Sequence, residues 1–562
     1  MPDQIAAITK GYAFDTPSLL FGSAVFEDTV YPDARVKIPL NVMNRHGLVA
    51  GATGTGKTKT LQLMAEQLAA AGVPVFLADI KGDLSGMAVA GEPNPKIIER
   101  CASLGLEWRP TAYPVEYLSL GGLGKGIPIR TSITAFGPTL LSKVLGLNET
   151  QESSLGLVFH YADTKGLLLD DIKDLREVVS YLTSDEGKAD LKDLGGLSAA
   201  TAGVILRELI TFSAQGADVF FGLPEFDTAS LLRQAGDGRG VVTMLELPAV
   251  QDRPALFSTF LMWLLADLYH DLPEVGDPDK PKLVFFFDEA HLLFNGASKS
   301  FLDAIQQTVR LIRSKGVGIF FVTQSPKDVP GDVLAQLGNR VQHALRAFTP
   351  DDAKALKAAV STYPTSAYDL SKVLTSLGTG EAVITVLSER GAPTPVAWTR
   401  MRAPETLMAP APEATVDQIV AASPLAASYA TAQDRQSAYE MLTAQDQEQA
   451  AQAAAEVAAA AQAKADAAAA EAQAKADAAA AKEAAQAQAA ADKAQAAAAK
   501  EAERARVAAE KQAALEERRR AAQPNVVESM LGNSAVKSLL RSAGTSFGRE
   551  ITRSIFGTAR RR

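Results

Sequence analysis

An α/β fold, a mostly parallel sheet covered by helices, is predicted by three observations. Between Arg45 and about Pro404, short apolar runs alternate with helical patterns, as a parallel sheet with crossover helices requires. One early run leads into "GATGTGKT", residues 51–58, a Gly-rich loop between an apolar strand and a helix of apolar spacing. A later run, "KLVFFFDEAHLLF", residues 282–294, is an apolar strand that ends in adjacent acids.

The flanking segments differ in composition. Residues 1–44 form a short β-rich lead-in, with "SAVFEDTV" and "ARVKIPL" as its strands. Residues 45–404 form the α/β domain, in which about 83–240 reads as a mainly helical insertion without assignable chemistry. Pro and Ala mark a linker over 405–433. Residues 434–523 are almost wholly Ala, Gln, Glu, Lys, Asp and Arg without Gly or Pro, which predicts a long helix. Its apolar positions are nearly all alanine, so a solvated helix and a thin coiled coil both fit. A basic, partly amphipathic tail, 524–562, suits contact with nucleic acid, a membrane or a partner, or plain solvation.

Bulk properties narrow the choices. The chain has 562 residues, 47% hydrophobic and 22% charged. Its single cysteine, Cys101, excludes an intramolecular disulfide framework and fits a reducing compartment. The five histidines are scattered without metal-ligand spacing, so no zinc site is expected. The first residues lack a signal-peptide pattern, and the most apolar stretch, "FSTFLMWLLADLYHDL", is interrupted by Asp267 and is too short to span a membrane. A cytoplasmic protein without a transmembrane segment is expected. A net charge of −9 argues against coating nucleic acid with the whole surface.

The loop fits G-x-x-x-x-G-K-[ST]: Gly51, Ala52, Thr53, Gly54, Thr55, Gly56, Lys57, Thr58. Its backbone N–H groups must curl inward around phosphate oxygens, and a side chain would block that approach. Lys57 supplies charge to the β- and γ-phosphates, Thr58 offers a hydroxyl to Mg²⁺, and the helix that starts here and carries Lys59 adds its N-terminal dipole. Asp288 would hold the Mg²⁺ water shell, and Glu289 would polarise water for attack on the γ-phosphate, which favours ATP hydrolysis over phosphate transfer. The D-x-x-G element "DLSG" (83–86) occurs without the guanine-reading N-K-x-D, so a GTPase is not predicted.

"GVGIFFVTQSP" is a further strand, and Gln324 at its tip would sense the γ-phosphate if that strand lies between the loop strand and the acidic strand. Arg310 and Arg313, three apart near a helix C-terminus, either complement the helix dipole or reach a neighbour's γ-phosphate.

The ordered set "NRHGLVAGATGTGKT", "VPVFLADIKGD", "LVFFFDEAHLLF", "IRSKGVGIFFVTQSP" and "LTSLGTGEAVITVLSERGAPTPVAW" resembles the HerA-like branch of the HerA/FtsK ATPases over roughly residues 19–404. The resemblance implies a RecA-like (ASCE) P-loop NTPase, a homo-hexamer that moves double-stranded DNA. It implies a trans-acting role for Arg313 and nucleotide-site roles for Arg45 and Asp79, although those two could equally form structural ion pairs. A nuclease or other protein partner is also implied, but only about forty residues precede the loop strand, where archaeal members carry a fuller β-barrel. The alternative is a nucleotide-controlled assembly switch acting through the C-terminal helix and tail on a protein or membrane partner.

Overall fold

The computed structural model describes residues 2–519 except 192–193, 252, 277 and 295–298. The basic tail of the sequence reading therefore lies outside the described residues. The chain divides into two units, 1–450 and 451–562.

The first unit is built on twelve strands: β1 (Ser18–Phe26), β2 (Thr29–Pro39), β3 (Gly47–Ala50), β4 (Val75–Asp79), β5 (Val115–Leu120), β6 (Ile127–Ile129), β7 (Val242–Glu246), β8 (Leu283–Phe287), β9 (Val317–Thr323), β10 (Asn339–Gln342), β11 (Glu381–Thr385) and β12 (Ala397–Met401). They lie in one sheet in the order β2-β1-β12-β11-β10-β3-β9-β8-β4-β7-β5-β6. From β10 to β6 every neighbouring pair is parallel, and from β10 to β2 every pair is antiparallel.

The central strands β4, β8 and β9 are uninterrupted buried runs because both sheet faces are covered. Alternation along β8 divides the core. Leu283, Phe285 and Phe287 face one cluster with the helical segments, while Val284 and Phe286 face another with the loop helix (Lys57–Ala70). The β1–β2 hairpin closes through Glu27 and Asp28 at φ 46° and 60°, the paired left-handed turn that suits the twist of two strands.

Three segments differ from the sequence reading. The lead-in is part of the main sheet, since β1 pairs with β12. The span read as a mainly helical insertion also supplies β5 and β6, which extend the sheet beyond β7. Its helices, among them Glu149–Lys165 and Ala199–Ala214, bury Leu155, Val158, Ile205 and Leu209. The segment read as a linker is docked: Thr406, Leu425 and Tyr429 are buried, and two short helices, Glu413–Ala422 and Ala426–Tyr429, follow the strap at 405–408.

The strap has a clear cause. Glu66, on the buried face of the loop helix, accepts hydrogen bonds from the backbone N–H of Glu405 (2.9 Å) and Thr406 (2.9 Å) and from the Thr406 hydroxyl. A buried carboxylate needs such donors, and the Pro/Ala composition gives no sign of them.

The long C-terminal helix is present as Ala438–Arg519 and is on the order of 120 Å long at 1.5 Å per residue. Within the second unit every described side chain from 451 to 516 is exposed. Helix propensity and i,i+4 pairs such as Gln462–Asp466, Gln473–Asp477 and Glu471–Lys475 sustain it, without an apolar stripe. None of the described helices is long and apolar enough to cross a membrane.

Burial pushes the Glu66 carboxyl up to about 7 from 4.5, against the Thr406 and Glu405 hydrogen bonds that favour its charge. Folded Glu66 therefore keeps a proton that the unfolded chain releases, so its contribution is complete below pH 4.5 and is lost as pH rises through about 7. Glu66→Gln should flatten this decline, changing the slope of unfolding free energy across that window by about 1–3 kcal/mol in total. Denaturant unfolding at several pH values checks this, and parallel curves for the two proteins would refute it.

Candidate active site

The functional side chains gather at the C-terminal ends of the parallel strands. β9 lies between β3 and β8, so the sensor strand separates the loop strand from the acidic strand, as the position of Gln324 requires. The loop is stitched to the edges on either side: Gly51 N–H donates to Thr323 O (3.2 Å), Ala52 N–H to Ala344 O (2.8 Å), and Gly380 N–H to Thr55 O (3.0 Å). Gly56 is required twice over, by its φ of 112° and because a Cβ would lie 3.2 Å from Gly380 N.

Lys57 is buried and donates to Ala52 O at 3.2 Å, across the mouth of the loop. Burial lowers its pKa, while Glu289 and Asp288 act in the opposite direction. The Lys59 ammonium turns away from the loop to Met408 O (2.6 Å) and Gln62 Oε1 (3.1 Å), so it ties the helix to the strap and leaves only its backbone N–H for phosphate.

Asp288 and Glu289 follow β8 directly and are buried. Burial, and then the Glu289 charge, push the Asp288 carboxyl up to about 7. Asp288 Oδ2 is buried with no hydrogen-bond partner. Among the described residues no group of three or more His, Cys, Asp or Glu is arranged to hold a metal alone. Magnesium usually takes one or two carboxylates with phosphate and water, so Thr58 and an unpartnered Asp288 oxygen fit it.

Glu289 sits in the left-handed region at φ 47°, uncommon for a residue with a side chain. Its Oε1 accepts a hydrogen bond from Lys81 Nζ, and its Oε2 lies 3.2 Å from His291 Nδ1 without hydrogen-bond geometry. Burial opposes its charge, yet Lys81 holds the carboxyl below the usual glutamate range. Gln324, exposed just beyond β9, shares a cavity of about 570 Å³ with Ala52, Thr53, His291 and Arg346.

The other sequence-derived residues stand apart. Asp79, at the end of β4, accepts from the N–H groups of Lys81 (3.2 Å), Gly82 (2.8 Å) and Leu84 (2.9 Å) and so shapes the turn that aims Lys81. Arg45 and Arg313 lie on the opposite edge of the sheet, just before β3 and β9. Seven residues of β9 at about 3.3 Å each put roughly 20 Å between that edge and the loop. Asn44 Nδ2 donates to Arg313 O (3.5 Å), joining the two positions, and the Arg45 guanidinium packs against Gly391. Lys81 was not singled out from the sequence. Its signal was its place two residues after Asp79 in "ADIKGD".

This loop, acidic pair and strand order define an α/β P-loop NTPase of RecA-like ASCE architecture. The chain belongs to the family described as Helicase HerA-like C-terminal, whose model matches residues 27–484. It is therefore a member of the ATP-hydrolysing HerA/FtsK group of P-loop NTPases. Similar curated proteins include the DNA double-strand break repair helicase HerA of Sulfolobus acidocaldarius, 23% identical over 361 residues, covering 63% of this chain and 64% of that one. The protein of the same name from Sulfurisphaera tokodaii is 23% identical over 360 residues, with the same coverage. The chain thus spans about 64% of the length of these relatives. Solved structures that superpose on it include the plasmid coupling protein TrwB with the ATP analogue ADPNP (16% identity, 70% of this chain, 98% of that one, TM-score 0.46). VirB4 of Thermoanaerobacter pseudethanolicus is another (14%, 69% and 97%, TM-score 0.44).

Lys81→Met should lower kcat about ten- to a hundredfold, the scale for losing a partner that orients a reacting group, with nucleotide affinity retained. Without Lys81 the Glu289 pKa rises, so the acid limb of the pH–rate profile should move to higher pH, and an unmoved limb would show that Lys81 does not tune Glu289. Asp288→Asn removes a buried charge. It should stabilise the nucleotide-free protein at pH 8 by about 1–3 kcal/mol while abolishing stabilisation by magnesium nucleotide, both measurable by thermal unfolding.

Proposed function

We propose that the chain hydrolyses ATP with Mg²⁺ as one subunit of a hexameric ring, and that the nucleotide controls this assembly as a switch. Its output would pass through the C-terminal helix and basic tail to a protein or membrane partner. One observation supports the assembly part: Arg313 lies some 20 Å from its own phosphate loop, on the far sheet edge, too distant to act on its own nucleotide, as a trans-acting arginine would.

The residues divide the work. The N–H groups of 51–58, with Lys57, bind and orient the phosphates. Thr58 and Asp288 would hold Mg²⁺, which when bound supplies charge to the β- and γ-oxygens. Glu289, kept ionised by Lys81, accepts a hydrogen bond from the attacking water and draws off its proton. Gln324 faces the γ-phosphate position and registers its loss. Arg313 from the adjacent subunit would offset charge that develops on the transferring group.

A second reading is translocation of double-stranded DNA, favoured by the relatives named as DNA double-strand break repair helicases. It shares the catalytic steps and differs in what stimulates them.

Glu289→Gln should lower kcat about 10²–10⁴-fold, and Arg313→Ala about 10³-fold, with assembly mass preserved. Mixing the two inactive proteins should restore part of the activity, because some interfaces then pair an intact site with an intact arginine. No recovery in preformed mixed rings would sink the shared site. Stimulation by anionic vesicles, lost when the chain stops at residue 523, would support the switch. Stimulation by linear duplex DNA that falls steeply with salt would replace it with the translocase.

A further inference from the structure

β9 ends at Thr323, and the exposed Gln324 is the next residue. The chain before it is pinned twice. Val322 O accepts from Ala290 N–H (2.9 Å), directly after the acidic pair, and Thr323 O accepts from Gly51 N–H (3.2 Å) of the phosphate loop. Past the strand end the ladder no longer fixes the backbone, so another group has to set the direction in which Gln324 points.

Asp328 supplies that group. Its Oδ2 accepts from the Thr323 hydroxyl (2.8 Å) and from the Ser325 backbone N–H (2.9 Å), the residues on either side of Gln324. A short turn, Pro326–Asp328, brings the carboxylate back to the strand end, and Asp328 N–H closes it on Ser325 O (3.0 Å). Pro326 presets the backbone at the start of the turn. Thr323 is fully buried, so its hydroxyl needs a partner inside the protein and gives Asp328 a fixed point to hold.

Resting on the ATPase reading, we propose that Asp328 is a positioning residue: by clamping both flanks of Gln324 it aims that side chain into the cavity shared with Ala52 and Thr53, the γ-phosphate end of the loop. An exposed glutamine is aimed mainly through its backbone, and a backbone already ordered loses no further entropy when the side chain engages. The same carboxylate has a plainer use, since it caps the turn. The two uses part at Gln324. A cap that only stabilises would slow hydrolysis by an amount independent of the glutamine, whereas a clamp acts through it.

The test measures steady-state ATP hydrolysis by the full chain and its affinity for ADP by calorimetry. The variants are Gln324→Ala, Asp328→Ala, Asp328→Asn, Thr323→Val, Lys57→Ala, and the doubles of Gln324→Ala with Asp328→Ala and with Thr323→Val. Asp328→Ala should lower kcat about tenfold, the scale for removing an orienting partner, with ADP affinity within about twofold of wild type. Asp328→Asn should regain most of that loss, because an amide oxygen accepts the same two hydrogen bonds. In the Gln324→Ala background, Asp328→Ala should cost no more than about twofold further.

Thr323→Val keeps the shape of the buried side chain and removes only the hydroxyl, so it decides the matter if Asp328→Ala fails to fold. It should lower kcat about three- to tenfold, the scale of one hydrogen bond, again without further loss beside Gln324→Ala. Losses that multiply in both double variants would overturn the proposal, as would wild-type kcat in Asp328→Ala and Thr323→Val. So would ADP affinity that falls in step with kcat, since Asp328 would then act on the phosphate loop through Thr323 and Gly51. In each of these cases the ATPase reading stands if Lys57→Ala abolishes hydrolysis, and hydrolysis unchanged in Lys57→Ala would remove both.

Discussion

The structure depends on how the phosphate loop is anchored. A loop of small residues with several inward-facing N–H groups would collapse without external partners. Here it is tied to β9 through Thr323 O, to the chain beyond β10 through Ala344 O, and to the turn before β11 through Gly380 N. Beneath it, buried His343 joins the loop helix at Thr60 to the start of β11 at Glu381 O (2.8 Å). Burial pushes this histidine down to about 4, so it stays neutral and serves as a fixed bridge. The strand order then follows as a functional requirement, because only neighbours of β3 can both anchor the loop and place side chains at its mouth.

A second buried histidine organises the far edge. His46, at φ 55°, donates from Nε2 to Val309 O (2.7 Å) and accepts at Nδ1 from Ile319 N–H (3.0 Å). It therefore clamps the helix Lys299–Ile312 to β9, and Arg313 follows that helix directly. The same two strands thus carry phosphate-facing groups at one end and arginines at the other. Under the proposed assembly this polarity would set the arginine edge of one copy toward the phosphate loop of the next.

Most of the site was legible in the sequence because it follows covalent order. Strand, glycine loop and helix occur consecutively at 47–70, and an uninterrupted apolar run such as "LVFFF" signals a strand covered on both faces. Asp288, Glu289 and Gln324 were readable for the same reason, as strand-end residues. The partners that act across the chain were not. Lys81 and Glu289 are 208 residues apart, and Glu66 meets Thr406 across 340. Composition also misled where a polar segment is held by a few buried donors, as at 405–408, or where short strands such as β5 and β6 sit among helices. For Arg45 and Arg313 the covalent order carries no such signal, and their sequence reading rests on the resemblance alone.

The strand ends concentrate buried acids beside the phosphate loop. Asp79, Glu246 and Asp288 end three adjacent strands, and burial raises all three, to about 6, 7 and 7. Burial lowers the Lys57 pKa, while Glu289 and Asp288 act in the opposite direction. Asp79 meets its cost with three backbone donors, but one oxygen of Asp288 and one of Glu246 are buried without a hydrogen-bond partner. Asp288 Oδ2 and the Thr58 hydroxyl are the groups that would hold a magnesium ion, and a phosphate in the loop would compete with Ala52 O for Lys57, so the unpartnered Asp288 oxygen and the loop lysine are groups that a magnesium nucleotide fits.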